Sequence, residues 1–209
     1  GGQPMEGNDN TTLRAITEAA KTEFSEKGFR GASLRNIVKK ANVTTGAFYG
    51  YFKSKEELFD ALVGEQAEHM MNTYIRAQES FAALTPEEQL AGVGGVSGEC
   101  MDEILEYIYR YPVETKLILC CSEGTKYENF VHEMVEIEAE ATHKFNSVLQ
   151  DLGIESRLLN PKLEHILISG MFAAYFEMII HDMPYDEARG YLKELRTFYT
   201  AGWQSIMGF

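Results

Sequence analysis

The sequence predicts an all-α fold, with an N-terminal three-helix head that contains a helix-turn-helix and a larger C-terminal helical body. Three observations indicate this class. Apolar residues recur at intervals of three and four along most of the chain, which is typical of helices that bury one face. Capping residues, prolines and glycines stand at the ends of these periodic segments. The 209 residues are 44% hydrophobic, which is enough for a substantial core.

The predicted head consists of three helices in succession. The first is expected at 11–25, where Leu13, Ile16, Ala20 and Phe24 mark its buried face. Ser33 can cap the second helix, and Asn42 can end it because asparagine tolerates the left-handed conformation. Thr44 then caps a short third helix. The side that this helix turns to the core is predicted to hold Val43, Ala47, Phe48, Tyr51 and Phe52.

The run that follows the second helix carries the strongest motif of the chain. From residue 41 it reads ANVTTGAFYGYFKSKEELF. This run resembles the DNA-binding segment of tetracycline-repressor-type (TetR family) transcriptional regulators, and its YFKSKEEL portion is highly specific for that family. The resemblance covers roughly the first 60 residues. It implies a helix-turn-helix whose recognition helix, at 44–52, lies in the major groove of DNA.

Eight residues around the turn are expected to contact DNA. Small side chains at an exposed helix N-terminus let the backbone approach a groove closely, and the N-terminus itself favours a phosphate oxygen. Lys55 stands in the first turn of the next helix, where a cation opposes the helix dipole, so a DNA phosphate is its expected partner. The residues expected to meet the groove are Thr44, Thr45, Gly46 and Tyr49. Those expected to meet phosphates are Ser33, Arg35, Tyr49, Lys53 and Lys55.

The charge distribution agrees with this assignment. The chain carries a formal net charge of -13, which by itself argues against a nucleic-acid partner. Between residues 26 and 55, however, seven basic residues stand against Glu26 alone, a net charge of +6, so the remainder carries -19. A basic patch confined to the helix-turn-helix is the expected electrostatic footprint of DNA binding, and the acidic remainder would help to orient the approach.

The organisation predicted for the chain has three parts. Residues 1–10 are expected to be disordered, with Gly1 to Pro4 an expression remnant before a native Met5. The DNA-binding domain is expected at 11–54 and the effector-binding and dimerisation domain at 55–209. The body should begin with a helix from Lys55 to about Phe81, long enough to belong to both parts. Further helices are predicted after Thr85, at 101–111, 113–121, 127–150 and 161–181, and from Pro184 onward.

A ligand cavity is predicted in the body. Glu138 falls in the middle of the apolar face of the helix at 127–150, where a lone carboxylate is costly unless it is paired. It is either bonded within the core or a polar anchor for an effector. By resemblance, the effector would be a small, largely apolar molecule whose binding releases a repressor from its operator. The candidate lining residues, each of which plain core packing would also explain, are Met101, Tyr107, Tyr111, Glu138, Phe145, Phe172, Tyr175 and Phe176.

The two C-terminal helices are predicted to form the interface of a homodimer. The helix at 161–181 is apolar almost all the way round, and the last helix carries a further run of apolar and aromatic residues. Together they exceed what one small body can bury, which indicates self-association. A two-fold, four-helix interface is also what the resemblance implies.

Other classes of function are weaker on this sequence. The chain is not expected to be an enzyme, because its apolar faces offer essentially Glu138 alone and no paired nucleophile and base. No cofactor or metal is expected, because the stripe of His132, Glu136, Glu140 and His143 lies opposite the apolar face. A regulator or interaction module without an effector, and a thiol-based redox sensor using Cys120 and Cys121, remain alternatives. The odd cysteine count and an apolar run judged too short to span a bilayer indicate the cytoplasm.

Overall fold

The computed structural model describes residues 6–93 and 95–208, except for the side chains of residues 6–9 and 95–97. In this part of the chain the regular secondary structure consists of ten α-helices, so the predicted all-α class is confirmed. They are α1 (Glu6–Gly31), α2 (Leu34–Lys40), α3 (Thr45–Tyr49), α4 (Lys55–Ala82), α5 (Pro86–Ala91), α6 (Gly95–Arg110), α7 (Pro112–Cys120), α8 (Phe130–Asp151), α9 (Pro161–Ile180) and α10 (Tyr185–Met207).

The first helix differs from its prediction at both ends. It begins at Glu6, so residues 6–10 are helical where disorder is predicted; the predictions for residues 1–5 lie outside the described residues. At the other end the helical segment continues to Gly31 across a break at Gly28, which has φ 67° and ψ 168°. Glycine reaches this conformation without strain, and so the chain can turn there without losing the following helical turn.

The chain divides into two compact units. The first comprises the residues up to 68 together with 111–128, and therefore contains α1 to α3, the first half of α4 and α7. Its core includes three phenylalanine rings, Phe24, Phe29 and Phe59, whose centroids lie 5.1 to 5.9 Å apart. The segment 111–128 belongs to this unit although the domain predicted for it is the body.

Two contacts fasten α7 and the turn after it to α1. The ammonium group of Lys21 lies 2.7 Å from the carboxylate of Glu114, which is largely buried. The backbone N–H of Phe29 donates a hydrogen bond of 2.8 Å to the carbonyl of Cys121. The end of α1 is therefore held from one side by α7, while α2 packs against it as well.

The second unit comprises 69–110 and the residues from 129 onward. It contains the second half of α4 and the helices α5, α6, α8, α9 and α10. The largest fully buried side chains here are Met70, Ile104, Leu105, Phe172, Tyr175 and Phe176. Helix α9 lies against both α8 and α10, which explains its almost uniformly apolar sequence.

The length of α9 revises one prediction from the sequence. The sequence predicts an apolar run that is too short to span a bilayer. Because α9 starts at Pro161, however, the helix has 20 residues and is long and apolar enough to cross a membrane. Buried side chains such as Phe172 and Phe176 nevertheless pack it into the second unit. The carboxylate of Glu164, near its start, is 4% exposed and bonded to His143 at 2.9 Å. These contacts are those of a core helix.

Candidate DNA-binding surface and ligand cavity

The short helix α3 presents its N-terminal turn to solvent. The hydroxyl of Thr44 accepts a 3.1 Å hydrogen bond from the backbone N–H of Ala47, which confirms the predicted cap. Phe48 is fully buried and fixes the helix to the core, whereas the side chain of Tyr49 is 55% exposed. Thr45 and Gly46 are exposed as well. The four residues predicted to meet a groove therefore lie together on one open surface.

The turn between α2 and α3 has the predicted geometry. Asn42 adopts φ 54°, the left-handed conformation that asparagine accepts more easily than most residues. Ser33 stands at the N-cap of α2 with an extended backbone, but its hydroxyl makes no capping hydrogen bond. The N-terminus of α2 is instead held by a carboxylate from α1.

That carboxylate belongs to Glu23, which is 2% exposed. Its Oε1 accepts hydrogen bonds from Lys27 Nζ at 2.9 Å, Asn36 Nδ2 at 3.1 Å and the backbone N–H of Ser33 at 3.2 Å. Burial alone would raise the pKa of Glu23, but these three donors together lower it to about 2. Glu23 thus ties α1 to the start of α2, a role that no local sequence pattern reveals.

Of the seven basic residues between 26 and 55, three remain free to meet a partner. Three others pair with carboxylates, and Lys55 is bonded inside the head. Arg35 and Lys39, four residues apart on α2, and Lys53, after α3, are exposed and make no ion pair with the described residues. The internal pairs are Lys27–Glu23 at 2.9 Å, Arg30–Glu123 at 2.6 Å and Lys40–Glu26 at 3.4 Å. Lys39 was missing from the predicted contacts, although its spacing from Arg35 could have revealed it.

Lys55 has a different environment from the one predicted for it. Its Nζ donates hydrogen bonds to the carbonyls of Phe29 at 2.7 Å and Ala32 at 3.1 Å. The same ammonium group lies 4.3 Å from the centroid of the Phe29 ring. Since the charge satisfies carbonyls at the end of α1, this geometry counts against a phosphate contact by Lys55.

The second unit contains a partly enclosed cavity of about 180 Å³. Residues from α4, α6, α8, α9 and α10 line it. Its wall is rich in aromatic side chains, and three methionines add adaptable apolar surface. The aromatic lining residues are Phe81, Phe145, Tyr175, Tyr199 and Trp203.

Glu138 lies in the lining of this cavity. Its Oε2 accepts hydrogen bonds from the hydroxyl of Tyr74 and from Gln78 Nε2, the latter at 2.7 Å. Burial raises the pKa of Glu138, and the bonds from Tyr74 and Gln78 lower it by less, so that the net direction is upward. The two possibilities left open by the sequence are thus combined, since Glu138 is both hydrogen-bonded within the unit and part of a cavity wall.

Arg196 is the second charged side chain in the lining. Its Nη2 donates hydrogen bonds of 2.8 Å to the carbonyl of Gly98 and to the carboxylate of Asp102. Its Nε is buried and has no hydrogen-bond partner among the described residues. A Cβ at position 98 would lie 2.6 Å from Arg196 Cζ, so glycine is needed there for the guanidinium to approach α6. The sequence assigns Gly98 only a weakening effect on its helix.

Comparison with known proteins identifies the head. A family model described as bacterial regulatory proteins, tetR family, matches residues 16–62. Residues 16–62 therefore form a TetR-family segment. The matched residues include all of α2 and α3 and the Asn42 turn, which are the elements that build the open surface around Tyr49.

Individual relatives match parts of the chain. The HTH-type transcriptional repressor KstR2 of Mycobacterium tuberculosis (strain ATCC 25618 / H37Rv) is 30% identical over 96 residues, which are 46% of this chain and 47% of KstR2. The chain spans between 20% and 56% of the length of the curated relatives that it matches.

Two solved structures share the fold over most of the chain. A TetR-family member from Streptomyces coelicolor A3 is 16% identical, with a TM-score of 0.56 and 90% of each chain covered. FadR from Bacillus subtilis, solved in complex with stearoyl-CoA, is 21% identical, with a TM-score of 0.50 and coverage of 90% of this chain and 98% of FadR. At these identities the likeness shows the fold alone.

Half of the predicted cavity residues lie in the cavity wall. Met101, Glu138, Phe145 and Tyr175 line it. The other four lie elsewhere. Tyr107 stacks on His69 with ring centroids 3.8 Å apart, Tyr111 precedes α7 in the first unit, and Phe172 and Phe176 are buried in the core.

The main residues missed are on α10. Leu192, Leu195, Tyr199 and Trp203 recur at helical spacing and line the cavity, together with Arg196 between them. The sequence assigns the whole apolar content of α10 to a dimer interface. The spacing does contain a signal, because Tyr191 and Phe198 form a separate exposed stripe one helical face away.

The thiols and the histidine stripe have different surroundings. Cys100 is buried, and burial together with the nearby carboxylates of Glu103 and Glu138 raises its pKa to about 12. Burial also raises the pKa of the Cys121 thiol, which disfavours the reactive thiolate form. The stripe of His132, Glu136, Glu140 and His143 is exposed, and the described residues contain no group suited to hold a metal ion.

Proposed function

We propose that this TetR-family chain is a transcriptional regulator that binds operator DNA sequence-specifically as a homodimer. The observation that carries this proposal is the surface around α3. Three cations that make no ion pair with the described residues, Arg35, Lys39 and Lys53, flank a helix whose N-terminal turn and Tyr49 are open to solvent. Such a surface offers phosphate contacts for positioning and groove contacts for sequence recognition.

The groove-facing residues and the cations have different roles in the proposed recognition of DNA. The small residues at the start of α3 let the backbone approach the groove, and Tyr49 reaches the base edges. Arg35, Lys39 and Lys53 neutralise phosphates, as does the N-terminus of α3. Ser33 is half-buried at the N-cap of α2, so its side chain contributes less to phosphate contacts than these three cations do. The acidic remainder of the chain keeps other surfaces away from DNA.

The homodimer interface is assigned to α9 and α10. Ile166 on α9 is 64% exposed and Phe198 on α10 is 69% exposed, and both point away from the described core. A shallow groove beside Phe198 is lined by further α9 and α10 residues, among them Met178 and Tyr191. A second copy of the same surface would cover these side chains by two-fold symmetry.

Regulation is assigned to the cavity in the second unit. Helix α4 begins at Lys55 and carries Gln78 and Phe81 in the cavity wall. An effector that packs against these two side chains would bias the position of α4, and through it the DNA-binding end of the helix. We propose repression that a small, largely apolar effector relieves, in the cytoplasm where operator DNA is accessible. KstR2 is named a repressor, and FadR was solved in complex with stearoyl-CoA.

The groove contacts are tested by replacing Tyr49 with alanine. We expect Tyr49→Ala to reduce the preference for a selected operator over a scrambled duplex by about tenfold, because a base-reading contact is lost while the phosphate contacts remain. Fluorescence anisotropy with both duplexes measures the ratio. An unchanged ratio would contradict recognition through the exposed face of α3.

A further inference from the structure

The cavity has an unbalanced charge. Glu138 and Arg196 are the two charged side chains in its lining. The guanidinium of Arg196 is already neutralised by Asp102 at 2.8 Å. No ion pair with a described residue neutralises Glu138, whose partners are the neutral groups of Tyr74 and Gln78. A ligand in the cavity therefore meets a net negative site.

The hydrogen bonds of Glu138 leave one oxygen available. Both donors, Tyr74 and Gln78, bind the same atom, Oε2. Oε1 has no hydrogen-bond partner among the described residues, so a ligand donor can occupy it. The two existing bonds also hold the carboxylate in place, so that little ordering is needed when a ligand binds.

The wall around this carboxylate suits a cation with an apolar body. Five aromatic side chains line the cavity, and their ring faces attract positive charge at short range. An anion would be repelled by Glu138, and the charge of Arg196 is already neutralised by Asp102. Only the buried Nε of Arg196 is left without a hydrogen-bond partner among the described residues. A neutral apolar molecule would cover the Oε1 acceptor without giving it a hydrogen-bond partner, which is costly.

We infer that the cavity binds an amphiphilic organic cation, with an aromatic or aliphatic body against the aromatic wall and one ammonium group paired with Glu138 Oε1. This inference rests on the proposed effector role of the cavity and specifies the chemical class of the effector. Glu138 acts as the counter-ion, and Tyr74 and Gln78 position it.

The chain offers a direct readout of this binding. Trp203 is its single tryptophan and lies in the cavity wall, so its fluorescence reports occupancy without any DNA. Three probes share one skeleton and differ in charge: phenylbutylamine, phenylbutanol and phenylbutanoic acid. Titration of the full chain with each probe at neutral pH gives three dissociation constants.

We expect the amine to bind about tenfold more tightly than the alcohol, and the acid to bind most weakly, because a charge-assisted hydrogen bond is stronger than a neutral one. In Glu138→Gln the advantage of the amine over the alcohol should disappear. The matched control is Glu140→Gln on the same helix, where the carboxylate is exposed and paired with Lys144, and there the advantage should persist. Thermal melting of both variants checks that they remain folded.

Three outcomes would overturn the inference: equal affinities for the amine and the alcohol, tightest binding of the acid, or no saturable response to the amine. Tightest binding of the acid would assign the anchor to Arg196 instead. The proposed function is tested separately, by measuring DNA binding of the chain without any probe. If the chain binds the amine but no operator, the inferred ligand class of the cavity is supported and the proposed regulator function is contradicted.

Discussion

At the residue scale, the head separates cations that build the fold from cations that face outward. Lys55 is bonded to backbone carbonyls at the junction of α1 and α2, and Lys27 is paired with the buried carboxylate of Glu23 there. Lys39, by contrast, is exposed and makes no ion pair with a described residue. A count of basic residues alone cannot make this distinction, because it depends on which carbonyls and carboxylates the folded chain brings within reach.

This distinction predicts opposite effects for two lysine variants. Lys39→Ala should weaken binding to all duplexes about equally and lower the salt slope of binding by about one, because one phosphate contact is lost. Lys55→Ala should leave the slope unchanged and lower the melting temperature, because two carbonyls lose their donor. Salt-dependent anisotropy and thermal melting of both variants test this. A reduced slope in Lys55→Ala would restore its predicted phosphate contact.

The buried carboxylate of Glu23 predicts a response to acid. Its pKa is about 2 in the folded chain, whereas the ordinary value for a glutamate side chain is 4.5, so the ionised form stabilises the head. This contribution is complete above pH 4.5 and is lost as the pH falls towards 2. The melting temperature of Glu23→Gln should therefore be lower than that of the wild type at neutral pH. Below pH 4.5 it should also change less with pH than the melting temperature of the wild type does.

The control for this variant is Glu26→Gln, which removes an exposed negative charge one helical turn away. It should retain the acid response of the wild type. Identical pH profiles for Glu23→Gln and the wild type would show that Glu23 does not hold α2 through its ionised form.

At the element scale, the helices differ in how much of them the sequence predicts. The cap at Thr44 and the turn at Asn42 follow from local chemistry, and the structure confirms both. The extension of α1 across Gly28 and the membership of α7 in the first unit depend on contacts between distant segments. The cavity was half predicted for the same reason. The apolar face of α8 is visible in the sequence, whereas the spacing along α10 separates two apolar stripes but does not reveal which of them lines the cavity.

The outer stripe of α10 makes a prediction about assembly. Phe198→Glu should convert the homodimer to a monomer, because a buried charge without a partner is strongly unfavourable at an apolar interface. Light scattering coupled to size-exclusion chromatography measures the mass. The control is Leu158→Glu, at an equally exposed leucine that precedes α9, and it should remain dimeric. A dimeric Phe198→Glu would place the interface elsewhere.

At the scale of the whole molecule, charge and apolar surface are distributed according to the proposed roles. A net charge of -13 coexists with a positive segment at residues 26–55, and three cations of that segment, which make no ion pair within the described part of the chain, flank α3. Among the apolar residues beyond the core, one set lines the cavity, and four exposed ones lie on α9 and α10: Leu163, Ile166, Tyr191 and Phe198. The family match covers the α2–α3 segment, and the individual contacts specify what each part would bind.

The central claim, sequence-specific two-fold recognition of DNA, is tested most directly by selecting binding sites from random duplex DNA at two salt concentrations. We expect a palindromic site to be enriched at both concentrations, because a symmetric dimer presents two copies of α3 to two half-sites. Affinity should fall at the higher salt, since Arg35, Lys39 and Lys53 release counterions from phosphates. Enrichment of no sequence, with binding that is either absent or sensitive to salt alone, would contradict the claim.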